Sequence, residues 1–200
     1  MKFLLILSLF LAFFSCQNNN AEVDAPKPNT PAAETDGPNL LHTGADWHPA
    51  ADTTGSLIDT GDAMQIDSVI TVHFTLAKKT TEEWPYVELI CDTEDDFRDT
   101  ETITITYTCD TPLILKLSQS DFGYEGNETY AHYQYILPAA EDWSEQTVHI
   151  SDFEQPEWTP AESRDIPLKP ENCDALYLTP QLDPQVGGES TLSVKHLVVK

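Results

Sequence analysis

Thr102-Ile103-Thr104-Ile105-Thr106-Tyr107-Thr108 is the stretch on which the fold turns. Ile103, Ile105 and Tyr107 alternate with threonines, so an extended chain here has one apolar side and one hydroxyl-bearing side. β-Branched residues favour that extended state. The same period of two recurs over residues 64–77, 84–92, 112–118, 130–137, 145–153, 174–181 and 190–200, and no segment keeps a helical period. About eight strands, joined by loops rich in Asp, Gly and Pro, predict an all-β chain with two antiparallel sheets packed as a jelly-roll β-sandwich.

Upstream of this region the composition changes. Lys2 precedes an apolar run over residues 3–14, and Ser15 and Cys16 follow. A basic start, a short apolar run and a small residue before the cleavage point describe a secretory signal. The run is shorter than the roughly 20 apolar residues that a membrane span requires. A cysteine at its end resembles the lipobox of bacterial lipoproteins. That resemblance implies a signal peptide over residues 1–15, acylation of Cys16, and attachment through lipid to the bacterial cell envelope, at the outer membrane or cell surface. An ordinary secretory signal with an incidental cysteine is the alternative. Residues 16–45 include Pro26, Pro28, Pro31 and Pro38 and few large apolar side chains, so they read as a disordered tether. Residues 46–200 are left as one domain around one core.

Charge narrows the partners. The chain has 10 Lys and Arg, one of them in the leader, against 34 Asp and Glu. Nucleic acid is excluded, because phosphate contacts need clustered basic residues. Anionic headgroups are repelled as well, which leaves membrane attachment to the acyl chains. No Gly-x-Ser-x-Gly elbow, His-Glu-x-x-His, phosphate-cradling glycine loop or Cys-x-x-Cys is present, and the six histidines stand apart in sequence. Adjacent acids such as Asp95 and Asp96 read as solvated loop charge, so a non-catalytic protein is expected. Cys91, Cys109 and Cys173 form an odd set. In a jelly roll the strand ending at Cys91 neighbours the one starting near Cys173, which makes that pair the disulfide candidate; three buried free thiols are the alternative.

Strand alternation also sorts the polar residues. Tyr133, Tyr135 and Leu137 share an inward face, while Tyr130, His132 and Gln134 point outward. Leu176 and Leu178 point inward and Tyr177, Thr179 and Gln181 outward; Lys116 and Ser118 lie opposite Leu115 and Leu117. A face carrying tyrosines, amides, an imidazole and an ammonium suits a sugar, whose C–H faces stack on aromatics and whose hydroxyls hydrogen-bond. A sheet face that is polar merely because it is wet has the same pattern. The candidate carbohydrate-binding residues are Tyr130 and Tyr177 as stacking surfaces, Lys116, His132, Gln134 and Gln181 as hydrogen-bonding partners, and Tyr124 as a gate between Gly123 and Gly126.

Tyr130-Ala131-His132-Tyr133-Gln134-Tyr135, then Trp143, then Phe153-Glu154-Gln155-Pro156-Glu157-Trp158, resembles the later half of carbohydrate-binding modules with the galactose-binding-domain-like jelly roll, similar to families 11 and 30. The likeness spans residues 84–200. It implies non-catalytic binding of a polysaccharide or oligosaccharide. The alternative is a structural or protein-binding envelope lipoprotein that uses the jelly roll as scaffold. Such modules often hold a structural calcium through early-domain carboxylates, and Asp52, Asp59 and Asp62 lie in the matching region. In the same likeness Trp158 either closes the core or offers a sugar platform.

Overall fold

The computed structural model describes residues 39–41, 45–61, 69–80, 84–93 and 95–200. The leader, Cys16 and Asp62 lie outside the described residues, as does most of the stretch read as a tether. The described chain folds into ten strands: β1 Asp46–Ala51, β2 Leu57–Asp59, β3 Ile70–Leu76, β4 Val87–Asp92, β5 Thr102–Cys109, β6 Leu113–Gln119, β7 Tyr133–Leu137, β8 Ala140–His149, β9 Cys173–Pro180 and β10 Gly188–Val199. They form two antiparallel five-stranded sheets, ordered β1-β4-β9-β6-β7 and β2-β3-β10-β5-β8. All eight expected strands are present. The two additional ones, β1 and β2, each lie at a sheet edge.

Alternation builds the core. Leu113, Leu115 and Leu117 on β6, Leu176 and Leu178 on β9, and Leu89 and Cys91 on β4 are fully buried. They face Ile103, Ile105 and Tyr107 of β5 and Leu192, Val194 and Leu197 of β10, all likewise fully buried. The Tyr107 phenol enters this core because its O–H donates to the Pro138 carbonyl at 2.6 Å, so its own hydroxyl is not stranded.

Two readings of the sequence are corrected. Asn39, Leu40 and Leu41, assigned by composition to the tether, lie against the domain: Asn39 bridges Val198, and Leu41 is fully buried. The apolar pair Leu40-Leu41 is what separates them from the polar stretch before. The three cysteines are free and buried. β4 and β9 do pair antiparallel, but Cys91 lies opposite Leu176, so Cys173 is three residues further along, roughly 10 Å at the usual rise per residue. That separation exceeds disulfide reach. Burial, with nearby carboxylates, pushes the Cys91 and Cys173 thiols up to about 12, so neither forms a reactive thiolate near neutrality.

Candidate functional site

Register assembles a row, polar except at Ile90, across the outer face of the β1-β4-β9-β6-β7 sheet. Gln134 lies opposite Lys116, Lys116 opposite Tyr177, Tyr177 opposite Ile90, and Ile90 opposite His48. At the end of this face where β6 gives way to a 3-10 turn, Ser120–Phe122, a recess of about 320 Å³ opens. Its lining brings Tyr124, Tyr130, His132 and Tyr177 together with Ser118, Gln119, Ser120, Gly123, Glu125 and Asp174.

A bulge shapes the floor. Between the pairs Leu117↔Leu176 and Gln119↔Cys173, β6 spends one residue and β9 two. The extra residue changes parity along β9, so Ala175 and Leu176 are both buried while Asp174 and Tyr177 reach the outer side. Bulges commonly re-aim side chains beside binding sites in this way. The Tyr177 hydroxyl donates to Ser118 Oγ at 3.2 Å, fixing the ring.

The wall is the loop of residues 123–130. Phe122 anchors it as a fully buried side chain, and the Tyr130 amide returns to the Phe122 carbonyl at 2.9 Å. Asn127 donates to Ser163 and accepts from the Thr129 amide and hydroxyl. Gly126 passes so close to the Asp121 carbonyl that any Cβ there would clash with backbone. Glu128 and Tyr130 adopt φ of 56° and 53°, left-handed values unfavourable for residues with side chains. This conformation sets Tyr130 at the mouth, 54% exposed, with its ring 6.3 Å from that of His132. Tyr124, 83% exposed, stands beside it.

His132 departs from the outward position that alternation gives it. It is buried at 5% exposure, directly after fully buried Ala131. The left-handed turn at Tyr130 ends the period-two pattern, and β7 begins only at Tyr133. Its ring sits edge-on to Phe122, Tyr130 and Tyr177, with centroids 6.0, 6.3 and 5.7 Å away. Burial, and secondarily the charge of Lys116, lowers its pKa from 6.5 to about 4. Nδ1 accepts the Gln119 amide at 3.1 Å, so the neutral ring carries its proton on Nε2. The recess therefore has an N–H donor in its wall that keeps one protonation state at neutral pH.

Lys116, Gln134 and Gln181 lie outside the recess lining. Lys116 Nζ is 2.5 Å from Glu88 Oε1, and both side chains are largely covered. This ion pair bridges β6 and β4 across β9, so its charge is already compensated. Gln134 faces outward beside Lys116, and its backbone pairs with Glu154, extending the sheet edge. Gln181 follows the opposite end of β9, four residues beyond Tyr177, or roughly 13 Å. The recess contributors that sequence reasoning passed over are Gln119, Ser120, Glu125 and Asp174. Only the bulge and the loop path, neither visible in composition, bring them in. Tyr86 sits on the same face beyond Glu88, and its hydroxyl is pushed up by burial and by the charges of Glu88, Asp52 and Tyr130.

The early carboxylates are committed to turns. Asp52 accepts from the Thr54 amide and hydroxyl at 2.7 and 2.6 Å and from the Tyr86 amide at 3.0 Å. Burial pushes its carboxyl up, but these bonds and one from Ser56 outweigh it and hold the group well below the usual carboxylate range. Asp59 accepts from the Gly61 amide at 2.8 Å. Trp158 is 61% exposed and closes no core.

No protein-family model matches the sequence, and no curated protein sequence does either. Solved structures do. A family 11 carbohydrate-binding module from Clostridium thermocellum, in complex with a β-1,3-1,4-mixed-linked tetrasaccharide, aligns with TM-score 0.53 and 12% identity over 76% of this chain and 87% of that one. The family 11 module of the cellulosomal cellulase Lic26A-Cel5E of the same organism gives 0.52 and 12% over 80% and 93%. At such identities the likeness is one of fold, an all-β jelly-roll sandwich.

Proposed function

We propose that this chain is a non-catalytic polysaccharide-binding protein, carried at the bacterial cell envelope by lipid on Cys16. The observation that supports it most is the recess beside Tyr177 on the outer sheet face, where aromatic rings and hydrogen-bonding groups converge. Tyr130 and Tyr124, half or more exposed at its mouth, offer faces for a pyranose ring. His132 Nε2–H and Ser118 supply donors, and Asp174 and Glu125 supply carboxylate acceptors for sugar hydroxyls. Each such bond nets only about 0.5–1.5 kcal/mol against water, so affinity is modest and accumulates over several sugar units. The similar family 11 module binds a mixed-linked β-glucan fragment, which makes β-linked glucans the first ligands to try.

Tyr130 provides a test that separates binding from folding. Tyr130→Gly removes the ring but relieves a left-handed conformation that costs roughly 1–2 kcal/mol for a residue with a side chain. The relief offsets the lost edge contact with His132, so stability should move by less than about 1 kcal/mol. Migration of the full-length chain through gels containing β-glucans should be retarded, and the variant should lose most of that retardation at near-unchanged melting temperature. Equal retardation of both proteins would remove Tyr130 from the site. Release of soluble sugar over time would contradict a purely binding role.

A further inference from the structure

The β1 edge of the same sheet holds a donor set that the recess does not use. Register places Asp46 directly opposite Asp92, and His48 follows two residues along β1 on the same face. One oxygen of each carboxylate and one ring nitrogen of His48 lie within 4.8 Å of one another. His48 Nδ1 is 3.5 Å from Asp92 Oδ2. Like charges fixed opposite each other across a ladder repel. The Lys and Arg ion pairs among the described residues go to Asp96, Glu88 and Asp121, not to Asp46 or Asp92. A cation between the two carboxylates would turn this repulsion into attraction.

We propose that Asp46, His48 and Asp92 form a binding site for a first-row divalent transition ion. The imidazole decides the class of ion: calcium and magnesium prefer all-oxygen shells, whereas one nitrogen with two carboxylates suits Zn²⁺, Ni²⁺ or Co²⁺. The donors stand on paired strands rather than on a loop, so binding needs little reorganisation. With 34 acids against 10 bases, the field of the chain concentrates cations near its surface. The three protein donors approach from the sheet side, leaving the remaining positions to water. The site is independent of the glycan reading, because no member of the set lines the recess.

Titration of the full-length chain with ZnCl₂ in a calorimeter tests it. One ion per chain should bind at this site, raise the melting temperature, and lose at least tenfold in affinity in both His48→Gln and Asp92→Asn. His73→Gln is the control: that imidazole bonds Thr191 on the other sheet and should leave the zinc isotherm unchanged. His48 is partly exposed at an edge strand, so His48→Gln should keep the wild-type circular dichroism and decide the matter even if Asp92→Asn unfolds. Absence of zinc binding, zinc binding that survives His48→Gln, or tighter binding of Ca²⁺ than of Zn²⁺ would each overturn the proposal.

Discussion

Gln119→Ala should destabilise the protein by about 3–5 kcal/mol, lowering the melting temperature by roughly 10 °C for a domain of this size. Gln119 is fully buried at the end of β6. Its Nε2 donates to Asp121 Oδ2 at 3.0 Å and to the Pro167 carbonyl at 3.1 Å, and its Oε1 accepts the Lys169 amide at 2.9 Å. Truncation removes all three bonds at once and leaves the Lys169 amide and the Pro167 carbonyl without that partner, and unsatisfied buried groups cost more than the net worth of the bonds they lose. The damage should spread, because Asp121 also accepts from Lys169 Nζ and Asn172 Nδ2, a set of bonds that holds its carboxyl below the usual range. That network ties the start of the recess wall to the chain entering β9. The variant should therefore lose ligand retention together with stability, unlike Tyr130→Gly, which should lose retention alone. An unfolding free energy from denaturant titration within about 0.5 kcal/mol of wild type would show that the network is not what holds the wall.

Acidification should cost the fold about 3 kcal/mol through His132 alone. The unfolded imidazole takes up a proton near pH 6.5, whereas burial delays protonation in the fold until about pH 4. Between those values the unfolded state binds more protons, so stability is complete above about pH 6.5, falls as the pH drops, and levels off below about pH 4. Many carboxylates add their own dependence in this acidic chain, and the comparison with His132→Gln isolates the one group. Gln can still accept the Gln119 amide, so the variant should keep the fold. Its stability should decline less steeply across this window, by about 3 kcal/mol in total. Parallel curves for the two proteins would mean that the imidazole protonates as readily in the fold as out of it.

The fold was legible because its core strands obey alternation almost without exception. Ile103-x-Ile105-x-Tyr107 and Leu113-x-Leu115-x-Leu117 point where a period of two sends them. β1 escaped notice because Pro49 interrupts it and its flanks are polar. It tolerates the proline because it pairs only with β4 and sits at an edge. β2 is three residues long, too short for any periodicity to register. The site was half legible. Tyr177 and Ser118 lie on true strands and meet as expected, and Tyr130 and Tyr124 reach the same recess. His132 was misplaced because one left-handed residue, Tyr130, resets the pattern before the strand begins. Lys116 was read as a hydrogen-bonding partner for a sugar, and its pairing was missed because Glu88 lies on a strand two positions away in the sheet and 28 residues away in sequence. The disulfide failed on register alone: the strand neighbours were right, and the offset along them was not. Local alternation reaches the surface readily, while bulges, positive φ and cross-sheet pairings depend on tertiary geometry that no window of sequence contains.

The proposed glycan surface is the outer face of the β1-β4-β9-β6-β7 sheet, beside Tyr177. The most direct test is side-by-side affinity electrophoresis of wild type, Tyr177→Ala and Trp143→Ala in gels containing a panel of β-glucans. Trp143 is an exposed aromatic on β8 of the other sheet, with the Lys195 ammonium 4.6 Å above its ring, and serves as the control for aromatic stickiness. Wild type and Trp143→Ala should be retarded, and Tyr177→Ala should lose at least tenfold in affinity with the fold intact. Retardation that survives Tyr177→Ala but disappears in Trp143→Ala would place binding on the opposite sheet, and a wild-type protein retarded by no glycan in the panel would contradict glycan binding at this face outright.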